Sequence, residues 1–365
     1  VGKDFFLQKK PLRLRQHLLN ARDQGLPIEF IENAVAIRID SVNGAKDTIS
    51  SILIDVKGDK QVVKADYFIL SAGACETPRI VLQSMYEKTI SLKNTNIGKY
   101  LTDHPWTVLG EIISKNGNFR VGLNDIFLSG KMKYRVGYRL YNNESSLKIG
   151  GNHCVAIKPL FFGNYLEFKD ALKDIIFQRN SLKSILLAIR RHGIPNMVAS
   201  TFILLNEKFG FGAYVKRALV FCYLEQPERR DSCVTLSNIK DVNGRMIPQI
   251  NWIVDKEESI AINSMASHLK SVFDDSKVFS FSPSNTSIRE LSSGAHHAGT
   301  MRIGSNDLSG VIDSNLQVFG MSNLFVCDLS IFPNYGNSNP TFTLAAFSAR
   351  LADYLILRQQ KRLIS

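Results

Sequence analysis

The chain has 365 residues, 44% of them hydrophobic, and a formal net charge of +12. That is enough apolar material for a large core divided between two domains. No run of 18 apolar residues occurs, the length a membrane-spanning helix needs. The basic residues are spread along the chain without a recognisable module, which argues against nucleic acid as a partner. Five cysteines (Cys75, Cys154, Cys222, Cys233, Cys327) are scattered with no C-x-x-C pair, so reduced thiols are expected rather than a disulfide framework or a metal site. A cytoplasmic setting follows as an expectation.

In chain order, Pro11 to Gly25 reads as a helix, with leucines along one side and glycine as its stop. Ile28–Ile39, Thr48–Val56 and Gln61–Val63 alternate or run apolar, separated by Asn43-Gly44 and the Lys57–Lys60 turn. This pattern predicts an antiparallel meander. Tyr67–Ser71 is a short buried strand, followed by the small-residue turn Ala72-Gly73-Ala74, with Thr77-Pro78 opening a helix to about Met85. From Pro105 to Ser293 strands (Met132–Tyr141, Val220–Glu225, Val234–Leu236, Gln249–Val254) mix with helices (Asp170–Arg191, Lys256–Phe273), as in an α+β domain. The basic segment from Lys169 to His192 has apolar residues at helical spacing. Packing of that stripe on the protein's own core is favoured over peripheral contact with an anionic membrane. Leu324–Asp328 supplies a last buried strand and Thr341–Leu357 a final helix.

The stretch from His296 to Asn339 places an imidazole and an amide at two loop-to-helix junctions. An imidazole can take a proton near neutral pH, and an amide can hold the same oxygen by a hydrogen bond. Between them Leu324–Cys327 ends in Asp328, a carboxylate at a strand's carboxyl end, where α/β sheets bind ligands. Spacing alone does not separate His296 from His297. The default role for both, and for His104 and His153, is a hydrogen-bonded turn histidine, and the default for Asp328 is a strand-end cap.

These residues carry a resemblance. HHAGTMRIG (His296–Gly304) is similar to the HxxGTxRMG segment of the glucose–methanol–choline (GMC) family of flavin-dependent oxidoreductases, with Ile303 where Met is commoner. Asn339-Pro340-Thr341 resembles the family's NPT segment. Tyr67–Pro78 (YFILSAGACETP), Asn96–His104 (NIGKYLTDH) and Glu225–Ser237 (EQPERRDSCVTLS) are similar to three further family segments, in the same order. The family's opening strand, G-x-G-x-x-G and helix are not matched: Gly210-Phe211-Gly212 is the only G-x-G, and Val215 stands at the third glycine position. The chain opens on Val1, and the expectation is a C-terminal part of a longer flavoprotein, or a variant lacking its ADP-binding segment.

The resemblance implies an α/β plus α+β fold. A Rossmann-like, three-layer FAD/NAD(P)-binding domain, incomplete at its N-terminus, would comprise 1–105 and 294–365, with an inserted antiparallel-sheet substrate domain over 106–293. It implies FAD as cofactor and an alcohol or sugar as small-molecule substrate, oxidised at a CH–OH group; the electron acceptor stays open. It assigns His296 as the base taking the hydroxyl proton and Asn339 as the group holding the substrate oxygen, with hydride passing to flavin N5. Because no side chain accepts a hydride, a redox cofactor is obligatory for that chemistry. The resemblance places Val35, Ala72, Gly73, Asp328, Pro340 and Thr341 at the cofactor; Arg302 reads as an ion-pair residue stabilising the loop, with no catalytic role. The NPTFT form of the last segment is similar to sugar-oxidising members. The rivals are an FAD-containing lyase of the same fold and a non-catalytic remnant without FAD.

Overall fold

A computed structural model describes residues 2–8, 14–42, 45–121, 127–129, 132–139, 151–160, 190, 193–194, 213–285, 290–336 and 339–364. The basic segment 169–192 lies almost wholly outside the described residues. The chain forms two compact units. Unit 1 contains Val1–Leu12, Trp106–Leu224 and Lys256–Leu291; unit 2 contains Arg13–Pro105, Glu225–Asp255 and Ser292–Ser365.

In chain order the described elements begin with β1 (Gly2–Gln8), α1 (Leu14–Asp23), β2 (Ala34–Val42), β3 (Ala45–Val56), β4 (Asp59–Lys64) and β5 (Phe68–Leu70). Helix α2 (Gly73–Tyr86) leads to β6 (Trp106–Ser114), β7 (Phe119–Val121), β8 (Phe127–Ser129), β9 (Met132–Arg139) and β10 (Cys154–Pro159). Strands β11 (Ala213–Val215), β12 (Arg217–Tyr223), β13 (Cys233–Lys240) and β14 (Met246–Asn251) follow. The chain closes with α3 (Lys256–Asp274), β15 (Phe279–Pro283), β16 (Leu324–Val326), a 3-10 turn (Leu329–Ile331) and α4 (Thr341–Ile364).

Unit 1 is built on one antiparallel sheet in the order β1-β9-β10-β12-β6-β15, with β8 beside β9. Its core joins Leu109, Ile112, Val220, Leu224 and Phe281 to Ala261, Ile262 and Met265 of α3. The antiparallel sheet expected for a substrate domain is there. Gly110 is the one residue type its place in β6 tolerates, because a Cβ there would lie 2.4 Å from the Ser282 carbonyl oxygen.

Unit 2 holds the meander β2-β3-β4, the parallel pair β5-β16 and the hairpin β13-β14. The β3–β4 turn is Lys57-Gly58, both at positive φ (55° and 100°), the conformation that matches strand twist in a two-residue hairpin. Strand β2 starts at Ala34, later than the periodicity of Ile28–Ile39 suggests, because Pro27 precedes the run and Asn33 turns the chain at φ 56°. Strand β16 is the unit's most buried element: Leu324, Phe325 and Val326 are all fully buried, worth roughly 1.5–3 kcal/mol each. They share a core with Phe68, Leu70, Ile80, Val81, Ile312 and Leu351.

Two local expectations are revised. Helix α2 begins at Gly73, ahead of Thr77-Pro78, and therefore carries Pro78 inside it. Proline lacks the N–H that would reach the carbonyl one turn back; the Thr300 hydroxyl supplies that hydrogen bond, donating to the Ala74 carbonyl at 2.7 Å. The helix survives its proline because a distant loop repairs it. Second, Glu225–Asp255, drawn from sequence within 106–293, makes its contacts in unit 2. The Val234 N–H donates to the Gly98 carbonyl at 2.7 Å, and the Met246 N–H donates to Gln83 Oε1 at 3.0 Å. Those bonds span more than a hundred residues, so no local pattern announces them.

Candidate functional site

The site is built on a zipper between the segments 102–104 and 293–298. Thr102 and Ala298 exchange backbone hydrogen bonds at 3.1 and 2.9 Å. Beside them Asp103, 1% exposed, works as a hub. One carboxylate oxygen accepts the N–H groups of His104 at 2.7 Å and His296 at 2.9 Å; the other accepts the Ser293 hydroxyl. Burial works against its charge, but the Ser293 hydroxyl, the two N–H groups and nearby His297 outweigh that and hold the Asp103 carboxyl below the usual carboxylate range. The Asp103 N–H in turn donates to Gln226 Oε1 at 3.1 Å, which also accepts the Trp252 indole N–H at 2.7 Å.

Two glycines permit this close approach. A Cβ at Gly299 would sit 2.1 Å from the Tyr100 carbonyl oxygen, and Gly299 has φ +90°. A Cβ at Gly294 would sit 2.5 Å from the His104 carbonyl oxygen. Arg302 anchors the same layer, donating to Glu228 at 2.8 Å with its guanidinium 4.3 Å from the centre of the Tyr100 ring. This is the supporting ion pair expected of it.

The two adjacent histidines have different surroundings. His297 Nε2 lies 3.5 Å from the Ser293 hydroxyl oxygen and 3.8 Å from Asp103. Although serine, histidine and aspartate meet here, the hydroxyl donates to the aspartate, so nothing activates it as a nucleophile. His296 Nδ1, by contrast, is buried with no hydrogen-bond partner among the described residues. Its ring stands edge-on to that of His104, centroids 5.5 Å apart. The His296 main chain is held on both sides: its N–H by Asp103, its carbonyl by the Tyr335 hydroxyl. Burial, with the Asp103 carboxylate adding, pushes the Tyr335 phenol far above its ordinary range.

A second group of residues surrounds the start of α2. Asp328 stands two residues past β16 and is 5% exposed. One of its oxygens accepts the Gly73 N–H at 2.9 Å and the Thr77 hydroxyl at 2.5 Å; the other accepts the Ser330 N–H at 2.8 Å and the Ser330 hydroxyl. Four donors fill the acceptor capacity of a carboxylate, so Asp328 caps the 3-10 turn and ties β16 to α2. The Ala72 N–H donates to Thr77 Oγ1 at 3.0 Å. Ala72 is exposed, and Gly73 has φ +86° with nothing within 4 Å of where a Cβ would lie. This turn offers open Cα surface rather than idle N–H groups.

The remaining expected residues have surroundings of their own. Asn339 is exposed, Pro340 is buried and its carbonyl accepts the Leu344 N–H at 2.9 Å, and Thr341 opens α4 with an exposed first turn. Val35 is half-buried on β2 opposite Asp55. The residues after it on β2 are tied to α2 through buried Arg79, which donates to the carbonyls of Ala36 at 2.6 Å and Ile37 at 2.7 Å. Sequence inspection missed Asp103 and Tyr335. Asp103 lay inside a quoted motif; Tyr335 had no signal beyond its place four residues before Asn339. No group of His, Cys, Asp or Glu among the described residues can hold a metal ion, and no described helix is long and apolar enough to cross a membrane.

Residues 227–348, about a third of the chain, match the family model described as GMC oxidoreductase. The chain is 24% identical over 328 residues to 2-methyl-1,2-propanediol dehydrogenase of Mycolicibacterium austroafricanum, covering 88% of this chain and 53% of the relative. It thus spans about half the length of that relative. Among solved structures it resembles pyridoxine 4-oxidase from Mesorbium loti (TM-score 0.51, 14% identity, 88% of this chain, 57% of that one). It also resembles formate oxidase from Aspergillus oryzae (0.52, 18%, 90% and 60%). A third likeness is to an FAD-dependent oxidoreductase from Chaetomium thermophilum (0.54, 16%, 95% and 64%). The fold is the one these oxidoreductases share.

Proposed function

We propose that this chain belongs to an FAD-dependent oxidoreductase acting on the CH–OH group of a small alcohol, a sugar or other polyol-like compound. The observation that carries this is the His296 imidazole. It is held through its main chain by two other loops, with Nδ1 buried and without a partner among the described residues, inside the region that matches the GMC family model. No described group hydrogen-bonds His296 Nδ1, which leaves this imidazole the better placed to take the hydroxyl proton; His297, engaged by Ser293 and Asp103, is the weaker candidate. Asn339 holds the substrate oxygen, since an amide donates a hydrogen bond without competing for the proton.

The residues present fit the cofactor. The open Cα surface at Ala72 and Gly73, the N-terminus of α2, the Val35 backbone, and the Pro340-Thr341 entry to α4 are the parts that would hold it. Helix N-termini carry partial positive charge and suit an anionic ligand. Asp328 acts behind this surface by fixing Gly73. When bound, FAD supplies the hydride acceptor that no side chain provides.

The test is anaerobic addition of alcohols and sugars to FAD-loaded, full-length protein while flavin absorbance is followed. Loss of the oxidised flavin band supports the reading. Turnover of substrate with the band unchanged points to the lyase instead, and a full-length protein that takes up no FAD is the non-catalytic remnant.

A further inference from the structure

Tyr335, ahead of α4, reaches back 39 residues to His296, its hydroxyl donating to the His296 carbonyl. His296 Nδ1 has no hydrogen-bond partner among the described residues, so the aim of the ring depends on how its backbone is held and on the rings beside it. Two side chains hold that backbone, Asp103 at the N–H and Tyr335 at the carbonyl. The Tyr335 ring also packs edge-on against His104, centroids 4.3 Å apart, and His104 packs edge-on against His296. One tyrosine therefore touches His296 twice, directly through its hydroxyl and indirectly through the His104 ring. Tyr335 stands four residues before Asn339 on the same loop.

We infer that Tyr335 is a positioning residue: its hydroxyl fixes the His296 main chain and links the loop bearing Asn339 to the loop bearing the base. The inference rests on the proposed role of His296. The phenol keeps its proton wherever the fold persists, because burial and the neighbouring carboxylate both disfavour the phenolate. The bond is thus a permanent strut rather than a titrating switch.

Tyr335→Phe tests it, since phenylalanine keeps the ring against His104 and removes the hydroxyl alone. The first readout needs no cofactor. Among the seven histidines, His296-His297 is the sole His-His dipeptide. Combined carbonyl-13C and amide-15N histidine labelling therefore gives one carbonyl-to-amide NMR correlation, reporting the His296 carbonyl. Tyr335→Phe should move that signal upfield, as loss of a hydrogen bond does; an unmoved signal overturns the inference. The second readout is flavin reduction in FAD-loaded, full-length protein, alone and in a double-mutant cycle. Tyr335→Phe should slow reduction roughly 10- to 100-fold, the scale of a small misplacement, yet add almost nothing in a His296→Ala background. Equal slowing in both backgrounds overturns the inference, because Tyr335 would then act without His296. If His296→Ala alone leaves the rate unchanged, the base assignment fails and the catalytic half of the inference fails with it; the carbonyl signal still judges the contact separately.

Discussion

Thr300→Val should reveal how much the repair of α2 contributes. Pro78 leaves the Ala74 carbonyl without its helical donor, and the Thr300 hydroxyl takes that place at 2.7 Å. Thr300 is fully buried and Ala74 is 4% exposed, so water cannot stand in. Valine has the shape of threonine and removes only the donor. Orphaning a buried acceptor costs about 1–3 kcal/mol. With a urea m-value of about 3 kcal/mol/M, the unfolding midpoint of unit 2 should fall by ~0.3–1 M. The sharper test is a cycle with Pro78→Ala, which restores an N–H to the carbonyl, so that Thr300→Val in this background should cost less than about half as much. Equal costs in the two backgrounds, or a loss below about 0.5 kcal/mol in the parent, would refute the reasoning.

Three other outcomes are expected. In FAD-loaded, full-length protein, His296→Ala should slow flavin reduction roughly 10²–10⁴-fold, Asn339→Ala less, and His297→Ala least; stopped-flow absorbance checks the order, and a crippling His297→Ala would shift the base by one residue. The isolated 365-residue chain should bind FAD poorly, since no G-x-G-x-x-G loop is present within it to meet the pyrophosphate; stoichiometric yellow protein after dialysis against FAD would contradict this. The folded-state pKa of Asp103 is depressed, so its contribution to stability is present above the ordinary aspartate pKa of about 3.9 and is lost as pH falls through the lower folded value. Asp103→Asn should therefore flatten the acid limb of stability against pH, and an unchanged slope in urea titrations below about pH 4 would exclude that role.

Much of unit 2 was legible in the sequence because its signals are local. The Lys57-Gly58 turn, the alternation of β3 and the apolar run of β16 each announce themselves within a few residues. The start of α2 was misjudged because Thr77-Pro78 looks like a first turn; what permits the earlier start is Thr300, 226 residues away. The candidate base and amide came from motif resemblance, whereas Asp103 and Tyr335 were missed. Their significance lies in which backbone groups they reach, and folding alone decides that. By resemblance Asp328 was assigned to the cofactor, with a strand-end cap as the alternative, and its four donors make it a cap.

The parallel pairing of β5 with β16 also bears on the order of events during synthesis. Gly73 and Asp328, which join the ends of those strands, are 255 residues apart. At translation rates of 5–20 residues per second, the first waits roughly 13–50 s for the second to be made. Throughout that interval the nascent chain carries β5 and the meander without the strand that completes their core. Unit 1, whose segments Trp106–Leu224 and Lys256–Leu291 are made in between, has all its strands available before β16 emerges. Unit 2 can close only after the C-terminal strand leaves the ribosome, so ribosome-bound chains arrested before residue 324 should expose Phe68 and Leu70 to proteases that spare them in the finished protein.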